Sequence, residues 1–267
     1  MIIGDKIFDT KNKTYIMGIL NVTEDSFYDG SKYNNLDRAL FRCEEMLEQG
    51  AHIIDVGAES TRPGAVKISA QKEMELALPV IEAIKSNFDT VISLDTYKAA
   101  TAKEGIKAGA SLINDIGGLK FDEDMASVIG ESGCSVCIMH NEDIRQSDDM
   151  MGKVLEGLQT SLKTALAAHI SKECIMLDPG IGFGKGTEGD YKILSELERL
   201  KSLNYPILIG LSRKSLIGNV TDTLPMERLP GTLALNAVSI LKGASFIRVH
   251  DVKEHAQVVK VMSCMVK

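Results

Sequence analysis

Short β-branched apolar runs alternate with amphipathic helical stretches along almost the whole chain, and this alternation limits the possible folds more than any other feature. The runs are Tyr15–Val22, the stretch opening Ile53-Ile54-Asp55-Val56, Val91–Asp95, Leu112–Gly117, Val136–His140, Ile175–Pro179, Ile207–Ser212 and Phe246–Asp251. Between them lie segments with apolar residues at three- and four-residue steps. In the first of these, Leu36, Ala39, Leu40, Cys43, Met46 and Leu47 recur, with Asn35 as a candidate cap and Gly50 as a stop. The others are Ile68–Phe88, Ala99–Ala110, Met125–Gly130 with Asp122 as a candidate cap, Val154–Ile170, Tyr191–Leu203, Leu233–Gly243 and Glu254–Met265.

Strict alternation predicts parallel strands with helical crossovers, because a parallel neighbour cannot be reached by a tight hairpin. Eight such units in 267 residues point to an α/β protein, a closed (β/α)8 TIM barrel, and to one domain spanning residues 1–267. A doubly wound open sheet is the alternative. It would carry a dinucleotide fingerprint after the first strand, where Gly18-Ile-Leu-Asn-Val lacks one. Met1–Thr14, with a turn near Asn12, is expected to form a short N-terminal hairpin or strap across the barrel bottom.

Composition narrows the partners. A net charge of −7 argues against general affinity for nucleic acid or acidic membrane surfaces. No stretch approaches the roughly 18 apolar residues of a membrane span, and the expectation is a soluble cytoplasmic protein. The five cysteines, scattered over apolar positions, read as reduced thiols rather than a disulfide framework.

Each predicted strand ends on a polar residue: Asn21, Asp55, Asp95, Asn114 with Asp115, His140, Asp178, Ser212, and Arg248 with His250. In a barrel these ends converge on one face, where active sites sit. A single buried carboxylate can be structural, but polar groups at all eight ends are hard to reconcile with packing alone. Asp95, Asn114 and Asp178 suit the edge of a flat heterocycle rich in N–H donors, while Arg62, Arg213, Lys214, Arg248 and His250 suit an anion. The loop after the second strand, Gly57-Ala-Glu-Ser-Thr-Arg-Pro-Gly64, adds Thr61 and Arg62; alone it reads as a solvated turn sooner than as a site.

Two motifs are decoys. Gly184-Lys-Gly186-Thr-Glu-Gly189 matches a dinucleotide pattern, but the next strand does not end on an acidic residue, and Lys185 is not followed by Ser or Thr as in a phosphate loop. Cys134-Ser-Val-Cys137 lacks a second ligand pair at zinc spacing. His52, His169 and His255 read as flanking or core histidines.

Taken together, Asn21-Val-Thr-Glu-Asp-Ser-Phe, Asp55-Val-Gly-Ala-Glu-Ser-Thr-Arg-Pro-Gly, Ser93-Leu-Asp-Thr, Asn114-Asp-Ile-Gly-Gly, Asp178-Pro-Gly-Ile-Gly-Phe-Gly-Lys, Ser212-Arg-Lys-Ser and Arg248-Val-His resemble the dihydropteroate synthase family. The resemblance implies condensation of 6-hydroxymethyl-7,8-dihydropterin diphosphate with 4-aminobenzoate, sensitivity to sulfonamides, and a homodimer. It implies that Asp95, Asn114, Asp178, Lys214, Met139 and Gly210 hold the pterin, with Asp95, Lys214, Arg62 and Asn21 nearest the chemistry. It further implies that Asn21 ligates Mg2+, that Asn21, Thr61, Arg62, Arg248 and His250 hold the diphosphate, and that Arg62, Pro63, Phe183, Lys214 and Ser215 form the aminobenzoate pocket.

The chain departs from the family pattern at Glu24, where Pro is usual, at Ala58, where Gly is frequent, and at Asn141-Glu-Asp-Ile-Arg145 after the fifth strand. A methyltetrahydrofolate methyltransferase of the same barrel class would share Asp95, Asn114 and Asp178, yet needs neither Thr61-Arg62-Pro63 nor Ser212-Arg-Lys-Ser. A non-catalytic pterin-binding paralogue is the other alternative.

Overall fold

The computed structural model describes residues 1–22, 32–59 and 66–265. The chain opens with an antiparallel hairpin, β1 (Ile2–Ile3) and β2 (Lys6–Ile7). Eight parallel strands follow: β3 (Tyr15–Asn21), β4 (Ile53–Gly57), β5 (Val91–Asp95), β6 (Leu112–Asp115), β7 (Ser135–Met139), β8 (Ile175–Asp178), β9 (Leu208–Ile209) and β10 (Phe246–Val249). Their order in the sheet is β8-β7-β6-β5-β4-β3-β10-β9. A parallel bridge between Leu177 and Ile207 joins the two ends into a barrel.

The helices α1 (Lys32–Glu48), α2 (Ala70–Asn87), α3 (Ala99–Ala108), α4 (Met125–Ser132), α5 (Met150–Ala167), α6 (Gly186–Ser195), α7 (Ser215–Thr221), α8 (Leu229–Leu241) and α9 (Val252–Met262) follow the strands. They cover the outside, so β4, β5, β6, β7 and β8 are buried along their whole length, as parallel strands require.

Period-two alternation divides the core. Ile16, Ile54, Val56, Ile92, Leu94, Ile113, Val136, Ile138, Leu177 and Ile247 face the helices in one large cluster. Met17, Ile53, Val91, Leu112, Cys137, Met176, Leu208 and Phe246 form a second cluster inside the barrel floor, sealed from below by Ile3 and Phe8 of the N-terminal segment. Two residues above the inward Ile53, Val91, Leu112, Met176 and Phe246 come Asp55, Ser93, Asn114, Asp178 and Arg248. The same strand parity that builds the floor therefore places the polar layer.

Several boundaries differ from the sequence reading. The N-terminal turn lies at Gly4 and Asp5, where Gly4 takes φ +61°, rather than near Asn12. Asn12 closes a separate turn by donating its amide to Asp9 at 2.9 Å. Helix α1 starts at Lys32, so Asn35 lies within it and is not its cap. Asp122 serves two helices: its Oδ2 accepts from the Ala99 amide at the start of α3 at 2.8 Å, while its Oδ1 accepts from the Asp124 amide at 3.1 Å and its carbonyl from the Met125 amide at 3.2 Å, where α4 begins after Asp124 rather than Asp122. Helix α5 starts at Met150 because the Asp149 carboxylate accepts from the Gly152 amide. Tyr191–Leu203 is not one helix: α6 begins at Gly186 and gives way to a 3-10 segment at Leu197–Leu203. Helix α7 was not expected, since seven residues are too few to display a periodic stripe.

Candidate active site

The inward residues at the C-terminal ends of the strands meet. Arg248 on β10 donates from Nε to Asp55 Oδ2 at 2.6 Å and from Nη2 to Asp95 Oδ2 at 2.7 Å. Asn114 donates to the same Asp55 oxygen at 3.4 Å. Asp55 is 0% exposed, and its Oδ1, Asp95 Oδ1 and the Ser93 hydroxyl are buried with no partner among the described residues. Each such atom is a hydrogen-bond position left open.

Burial pushes the Asp95 carboxyl up to about 7; Arg248 pulls it back, while Asp55 and Glu73 add to the rise. Asp178 is also raised by burial, against the pull of Lys214 and the Gly180 amide, which donates to Asp178 Oδ1 at 2.6 Å. Burial works against the charge on Arg248, but Asp55 and Asp95 outweigh it, so the guanidinium holds its proton more firmly than usual.

Lys214, just before α7, is half-buried, and desolvation lowers it to about 8 despite the nearby Asp178 carboxylate. Its ammonium donates to the Ile181 carbonyl at 2.5 Å and lies 4.6 Å from the centre of the Phe183 ring. Met139 pairs in register with Asp178 and is 4% exposed. A Cβ at Gly210 would stand 3.8 Å from Asp178 Oδ2, so glycine keeps the space beside that carboxylate open.

At the rim, Asn21 is exposed at the end of β3, with its Cα paired to Gly57. His250 Nδ1 lies 3.0 Å from the Ser212 hydroxyl. Arg213, in the left-handed region at φ +58°, pairs with Asp251 through Nε at 3.0 Å and through a second, shorter contact. It therefore braces the loop against Asp251. Ser215 opens α7 and is exposed. Thr61, Arg62 and Pro63, and Glu24 in the first loop, lie outside the described residues.

Asp115 adjoins Asn114 in the chain but does not join the site. Its parity is that of the helix-facing residues, and its carboxylate instead accepts from the Gly117 and Leu119 amides, both at 2.7 Å. His140 is buried, and burial lowers it to about 4, so its ring is neutral.

The decoys behave as structural residues. Gly184 accepts from the Ile144 amide at 2.9 Å and Gly186 begins α6. Cys134 and Cys137 belong to opposite sides of the sheet and are both free.

Some residues escaped sequence reasoning. Ser93 could have been found from its parity with Asp95. The network around Glu59 could not: its carboxylate accepts from the Tyr97 hydroxyl at 2.6 Å, Lys98 at 2.7 Å and the Ile68 amide at 3.0 Å, while Lys98 also reaches buried Glu73 at 3.1 Å. This ties β4's end to the start of α2 and to the loop after β5. Lys185, read from sequence as part of a glycine loop, is wholly buried.

A closed parallel barrel with carboxylates, an amide and cations gathered at its C-terminal face defines a small-ligand-binding barrel, and residues 17–250 match the sequence family described as pterin binding enzyme. Within that class the chain belongs to the dihydropteroate synthase family: it is 47% identical over 268 residues to the dihydropteroate synthase of Clostridium beijerinckii, covering 100% of both chains.

Two solved structures agree. The dihydropteroate synthase of Clostridium difficile, determined in the presence of pteroic acid, superposes with a TM-score of 0.95 at 46% identity, over 98% of this chain and 100% of that one. That of Yersinia pestis in a sulfonamide complex gives 0.92 at 39%, over 99% and 98%.

Proposed function

We propose that this chain joins 6-hydroxymethyl-7,8-dihydropterin diphosphate to 4-aminobenzoate, forming 7,8-dihydropteroate and releasing diphosphate. The observation that carries this reading is the buried layer of open acceptors, Asp55 Oδ1, Asp95 Oδ1 and Ser93 Oγ, beside Asn114 and Asp178. Buried carboxylate oxygens without partners are costly, and the N–H edge of a pterin completes such a layer. Asp95, Asn114, Asp178 and Lys214 bind the pterin, with Met139 and Gly210 shaping its pocket.

In this reading the bond from the pterin methylene to the diphosphate oxygen breaks first. Asn21, Thr61, Arg62, Arg248 and His250 hold the departing diphosphate, whose charge the cations among them neutralise. Arg248 reaches it by exchanging one carboxylate partner for phosphate. Asp95 beside the ring stabilises the electron-poor methylene. The arylamine nitrogen, lined up by Arg62, Pro63, Phe183, Lys214 and Ser215, then forms the C–N bond, and the ammonium proton leaves to solvent or diphosphate. Diphosphate exchange in the absence of aminobenzoate is the expected mark of this order; its absence favours a concerted displacement.

Asn21 fits Mg2+. It is an exposed amide side chain at the end of β3, and an amide carbonyl is an oxygen ligand of the hard type that Mg2+ takes. Mg2+ commonly keeps several waters and binds through one or two protein groups plus substrate phosphates. When bound there it supplies further neutralisation of the diphosphate.

Purified protein mixed with Mg2+ and both substrates should yield diphosphate and dihydropteroate in equal amounts, with sulfonamides competing against aminobenzoate. Pterin binding without diphosphate release would overturn the reading in favour of a methyltransferase or a non-catalytic binder.

We also propose a cytoplasmic homodimer formed from one domain. Val220, Leu224, Met226, Leu241 and Val261 are exposed apolar residues on and between α7, α8 and α9. A second copy would cover them. No described helix is long and apolar enough to cross a membrane. Light scattering tests the dimer.

A further inference from the structure

Lys185 heads the wholly buried side chains by size, at 1% exposure, and no step of the proposed reaction uses it. Its ammonium has no carboxylate partner within ion-pair distance among the described residues. It donates instead to two backbone carbonyls, Phe183 at 2.6 Å and His140 at 3.1 Å. Desolvation lowers this lysine to about 8, against the attraction of Asp178 and Asp190. Burying an ammonium against neutral carbonyls is unfavourable compared with an apolar side chain of the same volume, so stability alone gives no reason for a lysine here.

The two carbonyls lie on different loops. His140 closes β7, and Phe183 stands in the loop after β8. The loops touch elsewhere, since His140 donates to the Asp178 carbonyl at 2.9 Å and Ile144 to the Gly184 carbonyl at 2.9 Å. Gly180 makes the crossing possible. At φ +72°, any Cβ there would lie 2.0 Å from the His140 oxygen and 3.2 Å from the Lys185 ammonium. On the far side of the same loop, Gly182 donates to Asp190 at 2.8 Å and Lys214 donates to Ile181 at 2.5 Å. Lys185 thus fixes the one carbonyl that carries the Phe183 ring toward the Lys214 ammonium, 4.6 Å away.

We infer that Lys185 is a positioning residue for the aminobenzoate site: its buried ammonium pins the Phe183 backbone to the end of β7 and so holds the aromatic wall against Lys214. The inference rests on the proposed reaction for the roles of Phe183 and Lys214. Lys185 itself touches neither substrate. Because its hold is on the Phe183 loop, loss of its charge falls on the second substrate and leaves the pterin carboxylates in place.

Lys185→Met tests this in the full-length protein. Losing a charge-assisted hydrogen bond should raise the KM for aminobenzoate roughly 10-fold, with kcat and the KM for the pterin diphosphate within about 3-fold of wild type. In protein labelled with 4-fluorophenylalanine, the Phe183 fluorine resonance, assigned by Phe183→Leu, should shift or broaden while the other six of the seven Phe signals stay in place. Equal rises in both KM values, an unchanged aminobenzoate KM, or an unmoved Phe183 resonance would overturn it. Should Lys185→Met fail to fold, Lys185→Gln, which keeps an N–H donor, carries the same comparison with a smaller change expected. If wild-type protein released no diphosphate, the proposed reaction would fall, while the fluorine spectra would still report whether Lys185 holds Phe183.

Discussion

Arg248 and Asp95 stand 153 residues apart in the chain and meet at 2.7 Å inside the barrel. The other arm of the same guanidinium takes Asp55, which has no exposure to solvent. One cation is therefore shared between two buried carboxylates before any ligand arrives. Arg248→Met removes the ion pair of both, leaving Asp55 only its long contact with Asn114, and breaking a buried pair in this way costs about 3–5 kcal/mol. Denaturant unfolding should show a loss of this size, together with loss of turnover; a stability within about 0.5 kcal/mol of wild type would mean that the three groups are not coupled.

Activity should depend on pH through Asp95 and Lys214. Burial raises Asp95 from 3.8 to about 7, so the folded state keeps a proton that the unfolded state has released. Its contribution to stability is full below pH 3.8 and lost as pH rises through about 7. Burial lowers Lys214 from 10.5 to about 8, so its contribution is present above 10.5 and lost as pH falls through about 8. Both groups are charged together only between about 7 and about 8. A plot of kcat/KM for the pterin substrate should peak there, and Lys214→Arg should move the alkaline limb upward.

Lys214→Ala should weaken pterin binding by roughly 10- to 100-fold, the range for a hydrogen bond to a charged group. The Ile181 carbonyl also loses its partner in this variant. Calorimetry with the pterin alone measures the effect, and wild-type affinity would remove Lys214 from the pterin site.

Arg62→Ala should lower turnover more than pterin affinity, because its proposed contacts are with the leaving group and the second substrate. Parallel losses in both would mean that Arg62 binds ground state and transition state alike.

Thiol reagents should discriminate sharply among the cysteines. Burial pushes Cys43 and Cys134 up to about 12 and Cys137 well above its usual value, which suppresses the reactive thiolate. Cys264 is exposed and Cys174 half-buried. Mass spectrometry of native protein treated briefly with iodoacetamide should find Cys264 modified first, Cys174 more slowly, and the other three intact until unfolding.

Much of the site could be read from local pattern. A strand has a period of two, so once Ile53, Val91, Leu112, Met176 and Phe246 are taken as facing the barrel floor, Asp55, Ser93, Asn114, Asp178 and Arg248 must face the same interior one layer higher. The same rule assigns Asp115 to the helix side, where it caps its own loop, and it could have been excluded on parity alone. Boundaries were harder to read. The strand around Leu208 is paired over only two residues, and α7 is shorter than any periodic signal.

The eight alternating units, the inward face of each strand and the family motifs are legible in the chain, because they depend on residue type and on spacings within a few residues. Tertiary structure decided which groups meet. Register across β10, β3, β4 and β5 sets Arg248 between Asp55 and Asp95, and the crossing of two loops buries Lys185 against the His140 and Phe183 carbonyls. Both outcomes, and the shifted protonation of Asp95 and Lys214, arise from desolvation and contacts between residues far apart in the chain, which no local spacing encodes.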